Sequence, residues 1–171
     1  MLWHPAYVGI GSNLDDPVRQ VRRALGALAS LPQTRLQCQS SLYGSEPMGP
    51  APQPRYVNAV AALLTQCEPV SLLSQLRALE ERQGKQPTLV RWGPRIIDLD
   101  LLVFAQVQIQ SPELTLPHPG IVQRNFVLYP LRDVAPELDV PGCGRVAQLA
   151  ARVDPTGIWR LTDDTTTHHG A

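Results

Sequence analysis

The chain has 171 residues, enough for one domain that buries its own core without disulfides or a structural metal. Lys plus Arg and Asp plus Glu are fifteen each, so the electrostatic footprint that non-specific nucleic-acid or anionic-membrane binding requires is missing, and no partner of either kind is expected. Cys38, Cys67 and Cys143 are odd in number and form no C-x-x-C pair, which argues against a disulfide framework or a zinc site and suggests reduced, mostly core thiols.

The opening stretch, MLWHPAYVGIGSNL, lacks a basic region followed by a long apolar one, and no later run approaches a membrane span, so a cytoplasmic chain is expected. Residues 6 to 11, AYVGIG, are apolar and end in glycine, as a strand does. "GIGSN" fits neither phosphate-binding glycine pattern and reads as a tight turn out of that strand. Asp16 then supplies an N-cap and Pro17 a first helical residue, with Val18, Val21, Leu25 and Leu28 at helical spacing up to Pro32.

Residues 35 to 43 alternate with a period of two, placing Leu36, Cys38, Ser40 and Leu42 on one face of a strand. A loop rich in Gly and Pro follows. The run 56 to 65, YVNAVAALLT, suits helix or strand by pattern, and its length between two breakers favours strand. Pro69 opens a helix over 69 to 83, striped by Leu72, Leu76 and Leu79, with Gly84 as its C-terminal cap. A strand over 96 to 104 completes β-α-β-β-α-β, an α+β, ferredoxin-like plan with helices on one face of an antiparallel sheet. Residues 105 to 155 read as a short hairpin, a loop at LPHPG and two short C-terminal helices. The whole is expected to be one domain over 1 to 171, with its core at about 6 to 155 and a frayed tail.

The chemistry concentrates in RWGPRIIDLDLLVF, residues 91 to 104. Residues two apart on a strand share a face, so Asp98 and Asp100 present two carboxylates about 7 Å apart at Cα, while Leu99, Leu101 and Val103 face apolar packing. Such carboxylates repel each other, and a divalent cation between them relieves this; hard oxygen ligands favour magnesium, which takes its other ligands from phosphates and water. A bare D-x-D also fits two solvated surface acids. Arg91 and Arg95 just upstream, Lys85 before them, and His118 and Arg124 after them bring cations from both sides, the company a polyphosphate needs. Tyr56, Trp92 and Phe126 stand next to loops, and Asn58 shares a face with Tyr56, as a planar heterocycle with mixed edge groups requires. Each ring also fits a core-filling role.

Together GIGSNL, EPMGPAPQPRYVNAV, RWGPRIIDLDLLVF and LTLPHPGIVQRNFVLYPLRDVAPEL resemble the 6-hydroxymethyl-7,8-dihydropterin pyrophosphokinase family of folate biosynthesis, over roughly residues 6 to 140. The resemblance implies transfer of diphosphate from ATP to the hydroxymethyl oxygen of a reduced pterin. Asp98 and Asp100 would hold two magnesium ions, with Asp100 also near the hydroxyl proton. Arg95 would stabilise the transferring group, with Arg91 and Lys85 on the loop before it. His118, Arg124 and Arg95 would grip the triphosphate, with Thr115 near the ribose. Ser45, Pro47, Met48, Tyr56, Asn58, Trp92 and Phe126 would form the pterin pocket, the ring lying between Tyr56 and Phe126, and a monomer is the family expectation. Gly84, Lys85, Gln86, Pro87 and Thr88 depart from the arginines that similar proteins commonly carry there, so weaker loop clamping is expected.

Overall fold

The computed structural model describes residues 2–49, 52–86 and 94–162. Strand β1 (His4–Ser12) leads to helix α1 (Pro17–Leu28), and Asp16 caps that helix by accepting from the Arg19 N–H. Strands β2 (Thr34–Gln39), β3 (Tyr43–Ser45) and β4 (Tyr56–Thr65) follow, then α2 (Pro69–Arg82) and β5 (Asp98–Phe104). The single strand expected over 35 to 43 is thus two, both paired antiparallel to β4. The sheet runs β3, β4, β1, β5, with β2 beside the far half of β4. This is the ferredoxin-like order, and every pairing in it is antiparallel.

One face of the sheet is a continuous apolar layer. Ala6, Val8 and Ile10 of β1, Ala59, Ala61 and Leu63 of β4, and Leu99 and Leu101 of β5 pack against Val21, Leu25 and Leu28 of α1 and Leu72, Leu76 and Leu79 of α2. Burial of apolar area stabilises by about 25 cal/mol per Å², so this layer contributes to the folding drive.

The other face is only half covered. A hairpin of β6 (Ile109–Gln110) and β7 (Thr115–Leu116), α3 (Asn125–Val134), a hairpin of β8 (Asp139–Val140) and β9 (Gly144–Arg145), and α4 (Val146–Arg152) complete the descent of the chain. Leu128 and Leu131 of α3 and Val146 and Leu149 of α4 bury Val60, Leu102 and Val103. Helices on one face therefore describes α1 and α2 alone. Val103, expected on the apolar side with Leu99 and Leu101, is turned over: Tyr7 pairs with Val103 but Val8 with Leu101, so Leu102 is an extra residue that reverses the alternation.

Two further departures follow from local geometry. A register shift between Leu36 and Cys38 breaks the alternation of β2, leaving Cys38 exposed; Cys143 is exposed too, so Cys67 alone is the buried thiol. The sheet also extends past residue 155, because β10 (Ile158–Arg160) pairs antiparallel with β3. Among the described residues, no helix is long and apolar enough to cross a membrane.

Candidate active site

The uncovered half of the second face is a cavity of about 370 Å³, a size usual for small-molecule sites. Its floor is made by three adjacent strands. In register, Asn58 of β4 faces Gly11 of β1, which faces Asp98 of β5; one step along, Gly9 faces Asp100. The two glycines lie between the amide column and the carboxylate column. A Cβ at Gly11 would sit 3.4 Å from Asn58 Oδ1, and one at Gly9 would sit 3.4 Å from Leu102. The bare backbone of β1 therefore keeps open the space between Asn58 and the aspartates. GIGSN acts here as strand floor rather than only as a turn.

Asp98 is held by cations. Asp98 Oδ1 accepts from Lys85 Nζ at 2.7 Å, and its Oδ2 lies 3.6 Å from Arg95 Nε. Lys85 also donates to Glu80 Oε2 at 2.9 Å. Glu80 is 2 % exposed and is fully partnered, accepting from Arg77 Nη1 and from the Leu99 N–H as well; a buried carboxylate survives only with such partners. The C-terminus of α2 explains the approach of Lys85. Gly84 takes φ +103°, the left-handed value that favours glycine, and the Lys85 N–H returns to the Glu80 carbonyl.

Asp100 sits at the base of the cavity, where burial, then the Asp98 charge, push its pKa up against the pull of His118, Arg77 and Arg124. His118 Nε2 is 4.0 Å from Asp100 Oδ2. Its Nδ1 accepts from the Gly120 N–H, so in the neutral ring the proton is on Nε2, facing the carboxylate. Burial pushes the imidazole pKa down, opposed by Asp100 and reinforced by Arg124. Arg124 lies 5.8 Å from the Phe126 ring centre.

On the other side, Asn58 Nδ2 donates to Ser45 Oγ at 2.7 Å, and both residues are buried. This bond aims the Asn58 carbonyl oxygen away from Ser45. Tyr56, Met48 and Glu46 complete that wall, with Phe126 and Val127 of α3 opposite. Burial, then Asp98, raise the Tyr56 pKa, while Arg95 lowers it.

Of the residues singled out from sequence, Ser45, Met48, Tyr56, Asn58, Lys85, Arg95, Asp98, Asp100, His118, Arg124 and Phe126 line this one cavity. Pro47 and Thr115 do not line it. Arg91 and Trp92 lie outside the described residues. Sequence reasoning missed Gly9, Gly11, Glu46 and Arg77 in the lining and Glu80 beneath it. A carboxylate at position 80, one turn on from Leu76 in the apolar stripe, was the available signal. Asn13 was missed as a clamp. It is 1 % exposed, accepts from the Arg95 N–H at 2.8 Å, and donates to Gln53 Oε1 and the Pro54 carbonyl, tying the arginine to the loop before β4.

Comparison with known proteins shows the family. Residues 7–136 match the family model described as 7,8-dihydro-6-hydroxymethylpterin-pyrophosphokinase (HPPK). A 2-amino-4-hydroxy-6-hydroxymethyldihydropteridine pyrophosphokinase of Pseudomonas aeruginosa is 48% identical over 155 residues, covering 91% of this chain and 95% of that one. The protein of the same name from Haemophilus influenzae is 43% identical, covering 84% and 89%. Among solved structures, an HPPK-DHPS in complex with substrates superposes with a TM-score of 0.69 at 11% identity, and Plasmodium falciparum HPPK-DHPS with pteroate with 0.70 at 12%. This chain spans 43% and 44% of those two, and at such identity the likeness speaks for the fold. The match over residues 7–136 contains both aspartates, their basic neighbours and the pocket facing them, and with it the chain belongs to the 7,8-dihydro-6-hydroxymethylpterin-pyrophosphokinase family.

Proposed function

We propose that this chain transfers diphosphate from ATP to the hydroxymethyl oxygen of 6-hydroxymethyl-7,8-dihydropterin, releasing AMP. The observation that carries this reading is the division of one floor by Gly11, with Asn58 in register on one side and Asp98 on the other. A planar, hydrogen-bonding acceptor and a metal-bound polyphosphate then lie side by side, and the reaction needs them held together.

The donor set suits magnesium. Two carboxylates share the cavity, and burial first, then the Asp98 charge, raise the Asp100 pKa, a strain that a bound cation would relieve. The remaining ligands would come from phosphate oxygens and water, as magnesium prefers. Two ions on Asp98 and Asp100 are the reading, and when bound they would neutralise the phosphates and polarise the β-phosphorus.

The chain's own residues do the rest. Asn58, oriented by Ser45, would hydrogen-bond the pterin edge while Tyr56 and Phe126 cover its faces. Arg95 would leave Asp98 for the transferring group, its backbone fixed by Asn13. His118 and Arg124 would hold the triphosphate, donating to its oxygens. The hydroxymethyl oxygen would form a bond to the β-phosphorus as the bond from the β-phosphorus to the α,β-bridging oxygen breaks, that oxygen leaving with AMP, and the hydroxyl proton would leave toward Asp100. The accompanying reading is a monomer that acts in the cytoplasm, where MgATP is abundant.

The test is product identity. Incubation with MgATP and the pterin followed by chromatography should yield AMP and pterin diphosphate in equal amounts. Formation of ADP and a pterin monophosphate would overturn diphosphate transfer.

A further inference from the structure

The family match ends at residue 136, yet a later segment touches both walls of the pterin side of the cavity. On one wall, Ile158 pairs with Ser45, Trp159 with Gly44 and Arg160 with Tyr43, and the Glu46 N–H donates to the Gly157 carbonyl at 2.9 Å. On the other wall, Asn125 Nδ2 donates to the Asp154 carbonyl at 2.8 Å and to the Thr156 carbonyl at 2.9 Å. Asn125 stands between Arg124 and Phe126, both of which line the cavity.

The segment between the two attachments is short and stiff. Asp154 Oδ1 accepts from both the N–H and the hydroxyl of Thr156 at 2.9 and 2.6 Å, and Gly157 closes the turn at φ +75°. Alternation along β3 puts Gly44 on the face away from Ser45 and Asn58. The Trp159 indole fills that place so closely that a Cβ on Gly44 would overlap it. Arg55 covers the same indole at 5.2 Å and pairs with Glu46 at 3.2 Å. The wall holding Ser45 is therefore backed by Trp159 and strapped through residues 154–157 to the start of α3.

Resting on the proposed pterin chemistry, we propose that Asn125 and Trp159 are positioning residues for the pterin, holding the Ser45 wall at a fixed spacing from the Phe126 wall. Neither touches the substrate. Trp159 acts through Ser45 and Asn58, on the wall opposite Arg124, so ATP should not feel its loss, whereas Asn125 adjoins Arg124 as well as Phe126 and its loss should reach ATP too.

Steady-state kinetics of the full chain test this. Asn125→Asp keeps the shape but turns a carboxylate toward two carbonyl oxygens. Trp159→Ala removes the backing, and Trp159→Phe should restore most of it. The expected result is a rise in the pterin KM of about 5- to 10-fold for Asn125→Asp and Trp159→Ala, with the ATP KM of Trp159→Ala within about twofold of wild type. Equal rises in both KM values for Trp159→Ala, or a lowered Tm with both KM values unchanged, would overturn the proposal and leave the segment a purely structural role. The wild-type assay separates the two claims: no pterin-dependent AMP from the unmodified chain overturns the activity and the positioning role together, whereas an active wild type without the split overturns only the latter.

Discussion

Asp98 and Asp100 hang from a strand hydrogen-bonded to β1 and buried beneath by α2, whereas Ser45, Tyr56 and Phe126 sit on three elements joined around the pocket by side-chain bonds and a short C-terminal strap. Backbone register sets the spacing of the floor. Register also pairs Ser45 with Tyr56, but the Phe126 wall is joined to them by the apolar seat of α3 and a few polar contacts: Asn125 to residues 154 and 156, and Tyr43 to Asp133. Changes in the floor should therefore cost chemistry, and changes in the walls affinity and stability.

The largest effect is expected on the floor. Asp100→Asn keeps the size of the side chain but removes a charge from the magnesium pair, and should lower single-turnover diphosphate transfer by about 10³-fold or more. A loss below tenfold would break the distinction. Gly11→Val tests the gap between the two columns: branches beyond a Cβ already 3.4 Å from Asn58 Oδ1 would push the reactants apart. A fall in kcat/KM of about 10²-fold, with an unchanged circular-dichroism spectrum, is the expected outcome.

Lys85 lies where floor and loop meet. Lys85→Ala should lower kcat by about tenfold, because it removes a charge-assisted bond to Asp98 and leaves Glu80 one donor short. Pterin affinity, read by fluorescence titration, should stay within about twofold of wild type on the same estimate. A parallel loss of pterin binding would assign Lys85 to the walls.

The smallest effect belongs to a wall. Tyr43 donates to Asp133 at 2.9 Å, and burial first, then that bond, push its pKa up to about 12. The folded value lies above the ordinary phenol value of about 10, so the contribution is complete below pH 10 and is lost as pH rises toward 12. Urea unfolding should show Tyr43→Phe about 1 kcal/mol less stable at pH 7, with the gap closing over that window. A gap that widened with pH would refute the assignment of the bond.

The same contrast explains what the sequence made legible. Helices α1 and α2 follow from periodicity and from Asp16, Pro17, Pro69 and Gly84, strands β1, β4 and β5 from short apolar runs between breakers, and the shared face of Asp98 and Asp100 from the two-residue period. The bulge at Leu102 does not, because one extra residue reverses Val103 without altering composition. Asn13 and Glu80 read as ordinary polar residues until the fold encloses them. Strand β10 is three residues long behind a D-P-T-G turn, and its strand character comes from pairing with β3 rather than from its own pattern. Residues 87–93, with Arg91 and Trp92, lie outside the described residues.

The most direct measurement is AMP formation from MgATP with and without 6-hydroxymethyl-7,8-dihydropterin, for the wild type and for Asp98→Asn. AMP that requires the pterin, and that is lost in Asp98→Asn while pterin binding persists, is the predicted result. AMP formed equally without the pterin, or undiminished in Asp98→Asn, would contradict a floor that holds acceptor and metal-bound ATP on either side of Gly11.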